Sequence, residues 1–478
     1  MQPARAQDDA TPHDSRGSLI TDLRAGELGP VILAALCFFC LLCCYSIMRP
    51  VRDAFAAEGV DDIHWWFTGT LVASTIIVPI FWALVSVFSR RMFLTIIFAL
   101  FVGIILTFAL LIALVPGSGV VRFAFYAWLS MFVLFILSVF WGIAADVFAY
   151  ETSRRVYGYI GVGGTLGSIA GSFATSALVQ PFGDIAVRFG YTAEQGRIGL
   201  LLLAAVLLII GGAIAVTLLS HVRPDAEDST GGTSSKPKTG FWDGLKAITA
   251  SPYLLGIMLY IVGLTMTATV FYKAQLLIAG ELSDEIKQTI FFANIWMSIQ
   301  VTALVVQLLF TGKIMRWLGI GFALAVLPVI TVGSLLWLAI ASTDVSIVPF
   351  RAMLPFTPTG GLLWVTTMPM VLVITLVEVA RKASNYSIAK PARESLFTVV
   401  SPAEKYQSKS FIDTFVYRGS DQVAIWLLVP FVSVSTASLT WMSVIFVPFC
   451  LAWASLGVWL GRKQKRIANA DAAVKSTA

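Results

Sequence analysis

Twelve apolar runs, each about as long as the oily core of a bilayer is thick, constrain this chain more than anything else in it. A helix needs about 20 largely apolar residues to cross a membrane. Stretches of that kind occur at 30–48, 65–88, 92–116, 121–147, 157–181 and 197–220, and again at 252–275, 289–311, 317–341, 359–380, 411–433 and 438–460. Hydrophobic residues make up 58% of the 478 and charged residues only 13%, against roughly 25% charged in an ordinary soluble domain. So much apolar side chain has no water-soluble core to fill, so a single soluble domain of this length is excluded.

The runs fall as six, a polar gap, and six more. Residues 221–240, HVRPDAEDSTGGTSSKPKTG, read as a solvated linker. Phe241, Trp242 and Leu245 then alternate with Asp243 and Lys246, which predicts a short helix lying on the membrane surface. The chain thus divides into a tail (1–29), a six-helix half (30–220), a linker with an interfacial helix (221–251), a second six-helix half (252–461) and a basic tail (462–478). This all-α, six-plus-six plan resembles the major facilitator superfamily, whose two halves are repeats.

Basic residues set the orientation. Arg90 and Arg91, Arg154 and Arg155, Lys236 and Lys238, Lys313 and Arg316, then Arg381, Lys382, Lys390, Arg393, Lys405 and Lys409, and finally Arg462 to Arg466, all fall on one side when twelve spans are counted. The opposite loops carry acids such as Asp61, Asp62, Glu281, Asp284 and Glu285. Both termini are expected in the cytoplasm, with a disordered tail before residue 30. The polar, acid-containing start has no signal-peptide or transit-peptide pattern, and a bacterial inner membrane is the expected location.

Ionisable groups in or beside a span cost on the order of 2.5–3.5 kcal/mol each and call for a reason. Span one ends in Arg49-Pro50-Val51-Arg52-Asp53. Arg49 and Asp53 share a helix face and can neutralise each other, which leaves Arg52 to meet an anion; the other reading has both arginines snorkelling to the interface. Pro50 is expected to kink or end the helix. Lys273, in the seventh span, falls at a depth comparable to Arg52, and two cations on one cavity would make an anion site.

Asp146 and Glu151 flank the end of span four, and Glu378 sits at the matching end of span ten, each just ahead of basic residues. A gate salt bridge between the halves and a proton site are both open readings, and the recurrence at one depth favours the gate. Asp413, Arg418 and Asp421 open span eleven as an interior triad expected to pair within the bundle. Gly163, Gly167 and Gly171 make two GxxxG steps, a strip for close helix packing.

Several chemistries have no footing. Cys37, Cys40, Cys43, Cys44 and Cys450 sit in apolar runs, and Cys40 and Cys43, at CxxC spacing, lack a second ligand pair. No GxxxxGK[ST] and no HExxH occurs. Neither an ATP-driven pump nor a zinc protease is supported. An enzyme, a cofactor, a metal and a nucleic-acid partner are not expected. The expected partners are the lipid bilayer and a small anionic solute, with proton coupling open, and the chain is expected to act as a monomer.

Two stretches carry a family resemblance. Residues 140–161 read FWGIAADVFAYETSRRVYGYIG, and residues 385–413 read NYSIAKPARESLFTVVSPAEKYQSKSFID. Together they resemble the ATP/ADP translocase family, whose second motif reads approximately N-x-x-x-K-x-A-R-x-S-L-F, then K-x-K-x-x-I-D. The resemblance implies exchange of nucleotides, with basic residues holding the phosphates. Arg52 stands where that family has a lysine followed by an acid, and Asp53 matches the acid. Lys390, Arg393 and Lys409 match basic positions, and Asp146 lies near a polar or acidic one. Two departures keep a second reading open, a proton-coupled carrier for another solute such as a sugar phosphate or cell-wall fragment. Thr269 stands where the family has an acid, and the segment after Phe397 is shorter.

Overall fold

The computed structural model describes residues 28–87, 89–148, 150–221, 241–282, 284–342, 369–431 and 436–477. The expectations for the tail before residue 28, most of the linker (222–240) and the start of span ten lie outside them.

Every regular element among the described residues is helical. The first half of the chain forms α1 (Leu28–Glu58), α2 (Ile63–Val87), α3 (Arg90–Leu114), α4 (Gly119–Val147), α5 (Tyr150–Arg188) and α6 (Arg197–Leu218). Then come α7 (Phe241–Ala250), α8 (Pro252–Gly280), α9 (Glu285–Val306), α10 (Gly312–Ser342) and α11 (Met370–Ser384). The chain ends with α12 (Lys390–Leu396), α13 (Pro402–Phe411), α14 (Tyr417–Leu427) and α15 (Thr436–Thr477). Nine helices among the described residues are long and apolar enough to cross a membrane. The predicted second, tenth and eleventh spans are not among them. The second is α2, whose described side chains run only from Ile63 to Val78, short of a span. The tenth begins before the described residues, and the eleventh is divided among α13, a π turn (Ile412–Val416) and α14.

The first helix is the axis of its half, buried along most of its length. Pro50 does not end it; α1 runs eight residues further, to Glu58. A bundle interior tolerates the lost N–H because neighbouring helices and side chains cover the freed carbonyl. Along α5, a methyl group added at Gly163, Gly167 or Gly171 would strike the backbone oxygen of Ala35, Phe39 or Cys43 in turn. Backbone therefore lies on backbone over about two turns, with the dispersion contacts that replace the hydrophobic effect in lipid. Gly167→Leu should separate α1 from α5, costing about 1–3 kcal/mol as an overpacked site. The check is the melting temperature of the purified protein, which an unchanged value would contradict.

Gly319 breaks α10 with φ 76°, ψ 168°, a backbone region essentially closed to other residues. The apolar segment from Gly319 to Ser342 starts there, re-aimed from the short turn of helix before it. All five cysteines are free and buried, and no metal-ligating cluster occurs among the described residues.

Candidate functional site

The two chain halves meet around a central cavity of about 350 Å³, within the about 300–1,000 Å³ of small-molecule sites. Five cations line it: Arg49 and Arg52 from α1, Arg381 and Lys382 from α11, and Arg418 from α14. Tyr126, Tyr272, Trp296 and Tyr386 supply aromatic walls, and Asp421 is the single carboxylate among the described lining residues. A second cavity of about 580 Å³ shares Arg49, Val133, Trp296 and Tyr386 with the first and continues towards Lys390 and Glu394.

Two buried carboxylates hold the cations from behind. Asp53, 1% exposed, accepts from Arg52 Nε at 3.0 Å, Trp296 Nε1 at 3.1 Å and Tyr272 Oη at 3.2 Å. Arg49 Nε lies farther off, at 3.8 Å. The expected order is thus reversed: Arg52 is the partner of Asp53, and it also donates to Ser130 Oγ at 3.4 Å. Arg49 is the freer cation. Its guanidinium lies 3.2 Å from the Trp296 ring centroid, while Lys382 Nζ lies 4.1 Å from the same ring. Glu378, fully buried, accepts from Arg381 Nη2 at 3.0 and 3.2 Å and pairs with Lys382 Nζ at 3.2 Å. The Nε groups of Arg49 and Arg381 are buried without a hydrogen-bond partner. Unused donors on clustered cations make this a site that wants an anion.

Glu378 therefore does not form the predicted gate bridge, since its partners lie one turn away on its own helix. An inter-half ion network does exist, at the other end of the bundle. Glu58 closes α1, Arg122 and Arg197 open α4 and α6, and Glu285 opens α9. Arg122 pairs with Glu58 and, at 3.1 Å, with Glu285. Arg197, 1% exposed, pairs with Glu285 at 2.6 Å and Glu58 at 3.4 Å. Glu285 is the sole member from the second half of the chain. The same end is closed by Lys273 Nζ donating to Val60 O at 2.9 Å, by Trp426 Nε1 donating to Thr68 Oγ1 at 3.2 Å, and by Gln422 on the same hydroxyl. Ser176 Oγ bonded to Asn294 Oδ1, and Tyr272 and Trp296 bonded to Asp53, continue the joining of the halves from this end to the roof of the cavity. The molecule is shut at the Glu58 end, and its cavities lead towards the Lys390 end.

The other candidates are dispersed. Lys273 is not a lining residue of the central cavity, because it caps the turn after α1. Lys390 is exposed on the second cavity. Buried Arg393 donates to Tyr417 Oη at 3.0 Å, and Lys409 pairs with Glu394. Asp146 is half-buried near the end of α4. The side chains of Glu151 and Asp413 lie outside the described ones. Arg418 and Asp421 line the central cavity, and Asp421 accepts from Thr269 Oγ1 at 3.0 Å. Arg381 and Lys382 as site residues escaped sequence reading, as did the aromatic walls; the only local signal was an acid three and four residues before two bases.

Residues 123–464 match the family described as TLC ATP/ADP transporter. An ADP,ATP carrier protein of Chlamydia muridarum is 22% identical over 96% of this chain and 95% of its own length. A second such carrier, from Chlamydia pneumoniae, is 24% identical over 70% of this chain; that match spans 65% of the relative, just under two thirds of its length. Among solved structures, a bacterial homologue of the iron transporter ferroportin, in an inward-facing state, superposes with a TM-score of 0.59. It is 11% identical, with 92% of this chain and all of that one covered, a likeness of fold alone.

Proposed function

The chain belongs to the TLC ATP/ADP transporter family, and from that premise we propose that it exchanges nucleoside polyphosphates across a bacterial inner membrane. The protein is an all-α, multi-pass carrier of major facilitator type. The observation that carries the substrate is the charge of the central cavity. Five lining cations face Asp421, with Asp53 and Glu378 behind, so two positive charges remain uncompensated. Arginines with free donors suit phosphate oxygens, and the Tyr126 and Tyr386 rings that line the cavity suit a base.

Twelve spans with both termini in the cytoplasm put the Lys390 end inside and the Glu58 end outside. In this state the carrier faces inward, and its halves (30–220 and 252–461) rock about the cavity as units. The proposed oligomeric state is a monomer.

The test uses liposomes with the purified protein and labelled ATP outside. Uptake should rise at least about tenfold when ADP is inside, and Arg418→Ala should raise the KM about 10–100-fold, the worth of one charged hydrogen bond of about 1.5–3 kcal/mol. Folded protein that takes up no ATP under either condition overturns the nucleotide reading. Uptake of a sugar phosphate driven by a proton gradient would replace it.

A further inference from the structure

Three carboxylates stand in or behind the central cavity, and their partners differ in kind. Asp53 is held by Arg52, Trp296 and Tyr272, and Glu378 by Arg381 and Lys382. Guanidinium, ammonium and indole N–H groups only donate. A proton on either acid would uncover a buried cation, and on Glu378 it would also face only donors. Asp421 is built differently. It lines the cavity, its described hydrogen-bond partner is the Thr269 hydroxyl at 3.0 Å, and among the described residues no cation lies within ion-pair distance of it.

That hydroxyl also reaches the backbone oxygen of Thr265, at 3.2 Å. It has one hydrogen and two acceptors within reach. With Asp421 ionised, the hydroxyl donates to its Oδ1. With Asp421 protonated, the hydroxyl donates to Thr265 O and accepts from the carboxyl. Either state keeps every hydrogen bond satisfied, a tolerance the other two acids lack. The charged and titratable surroundings are few. Arg418 lies one turn earlier on α14, and Tyr126 reaches the cavity from α4. α8 presents Thr269 and Tyr272, and the titratable group of α2, His64, packs on the Trp426 ring instead.

We propose that Asp421 is a proton-binding site of the transport cycle, loaded together with the more highly charged of two exchanged nucleotides. This deepens the nucleotide reading above and rests on it. A nucleoside triphosphate carries one more negative charge than the diphosphate. If Asp421 takes a proton from the solution that the cavity faces as the triphosphate enters, the closed site holds the same total charge with either cargo. The proton leaves to the opposite solution with the triphosphate. Exchange is then electroneutral, and the carrier moves one proton with each triphosphate.

The experiment uses proteoliposomes loaded with ADP and the pH dye pyranine. ADP-for-ADP exchange is the reference, and its absence in the wild type means the nucleotide reading has failed and this inference with it. Where it is present, ATP-for-ADP exchange should acidify the lumen by about one proton per nucleotide, with an ATP distribution insensitive to an imposed potential. In Asp421→Asn, whatever its rate, the proton-to-nucleotide ratio should fall to zero. The distribution should then shift by up to about 50-fold per 100 mV, the effect of one uncompensated charge. Wild-type ATP-for-ADP exchange without acidification overturns the proposal, and that measurement stands even if the variant does not fold. A ratio still near one in Asp421→Asn also overturns it, because the triphosphate would then be carrying its own proton.

Discussion

Replacing Glu285 by arginine should throw the carrier open at its Glu58 end. Glu285 lies between Arg122 and Arg197, and it is the one member of that network contributed by the second half of the chain. A guanidinium in its place puts three like charges where two arginines now share two carboxylates. Breaking a buried pair costs about 3–5 kcal/mol, so the equilibrium between closed and open ends should move by about two to four orders of magnitude. Ser130 lines the central cavity, and a cysteine placed there would report access. In intact cells, a membrane-impermeant maleimide should label Ser130→Cys slowly in the parent and at least about tenfold faster with Glu285→Arg added. Glu285→Gln keeps the shape, loses the charge, and should fall between them. Equal labelling of all three, in protein that elutes as one folded species, would show that the network does not hold this end shut.

The sequence-level reading and the structure agree where lipid imposes a local rule. A span must be a run of about 20 apolar residues, so the runs at 30–48, 121–147 and 252–275 announce α1, α4 and α8. The Gly163–Gly167–Gly171 strip is legible for the same reason, since close helix contact leaves a local period of four. Charge defeats that ruler. Arg381 and Lys382 look like loop residues because they end an apolar run, yet the helix continues through a π turn (Asn385–Ala389) into α12, which leaves both cations at the cavity. Their cost inside the bundle is offset by Glu378, and a hydropathy window does not register a pair that cancels.

The network at the Glu58 end is invisible in the sequence for a different reason. Arg122 and Glu285 are 163 positions apart, and no local spacing encodes such a contact. Lys273 illustrates the converse: position along a span says nothing of direction, and the side chain reaches Val60 rather than the cavity. Which face a charge presents is decided by the packing of helices distant in sequence.

Removing the carboxyl of Asp53 should be the most damaging single change at the centre. One side chain there does two things at once. It neutralises buried Arg52, and it accepts from Trp296 and Tyr272, so α1 is tied to α9 and α8 directly above the cavity. Asp53→Ala leaves Arg52 without a carboxylate in a low-dielectric site, again a loss of about 3–5 kcal/mol, and cuts both ties between the halves. Nucleotide exchange should fall by more than about a hundredfold. The charge and the ties can be separated. Asp53→Asn retains an amide oxygen for Trp296 Nε1 but no charge for Arg52, and it should hold more of the folded stability than alanine. In both variants a polyphosphate can stand in for the missing anion. Added ADP should therefore raise the melting temperature of Asp53→Ala more than it raises that of the wild type. Exchange within about threefold of the wild type would mean that Asp53 is a passenger in the bundle. A melting temperature unmoved by ADP in Asp53→Ala, where the wild type responds, would mean that Arg52 does not meet the substrate.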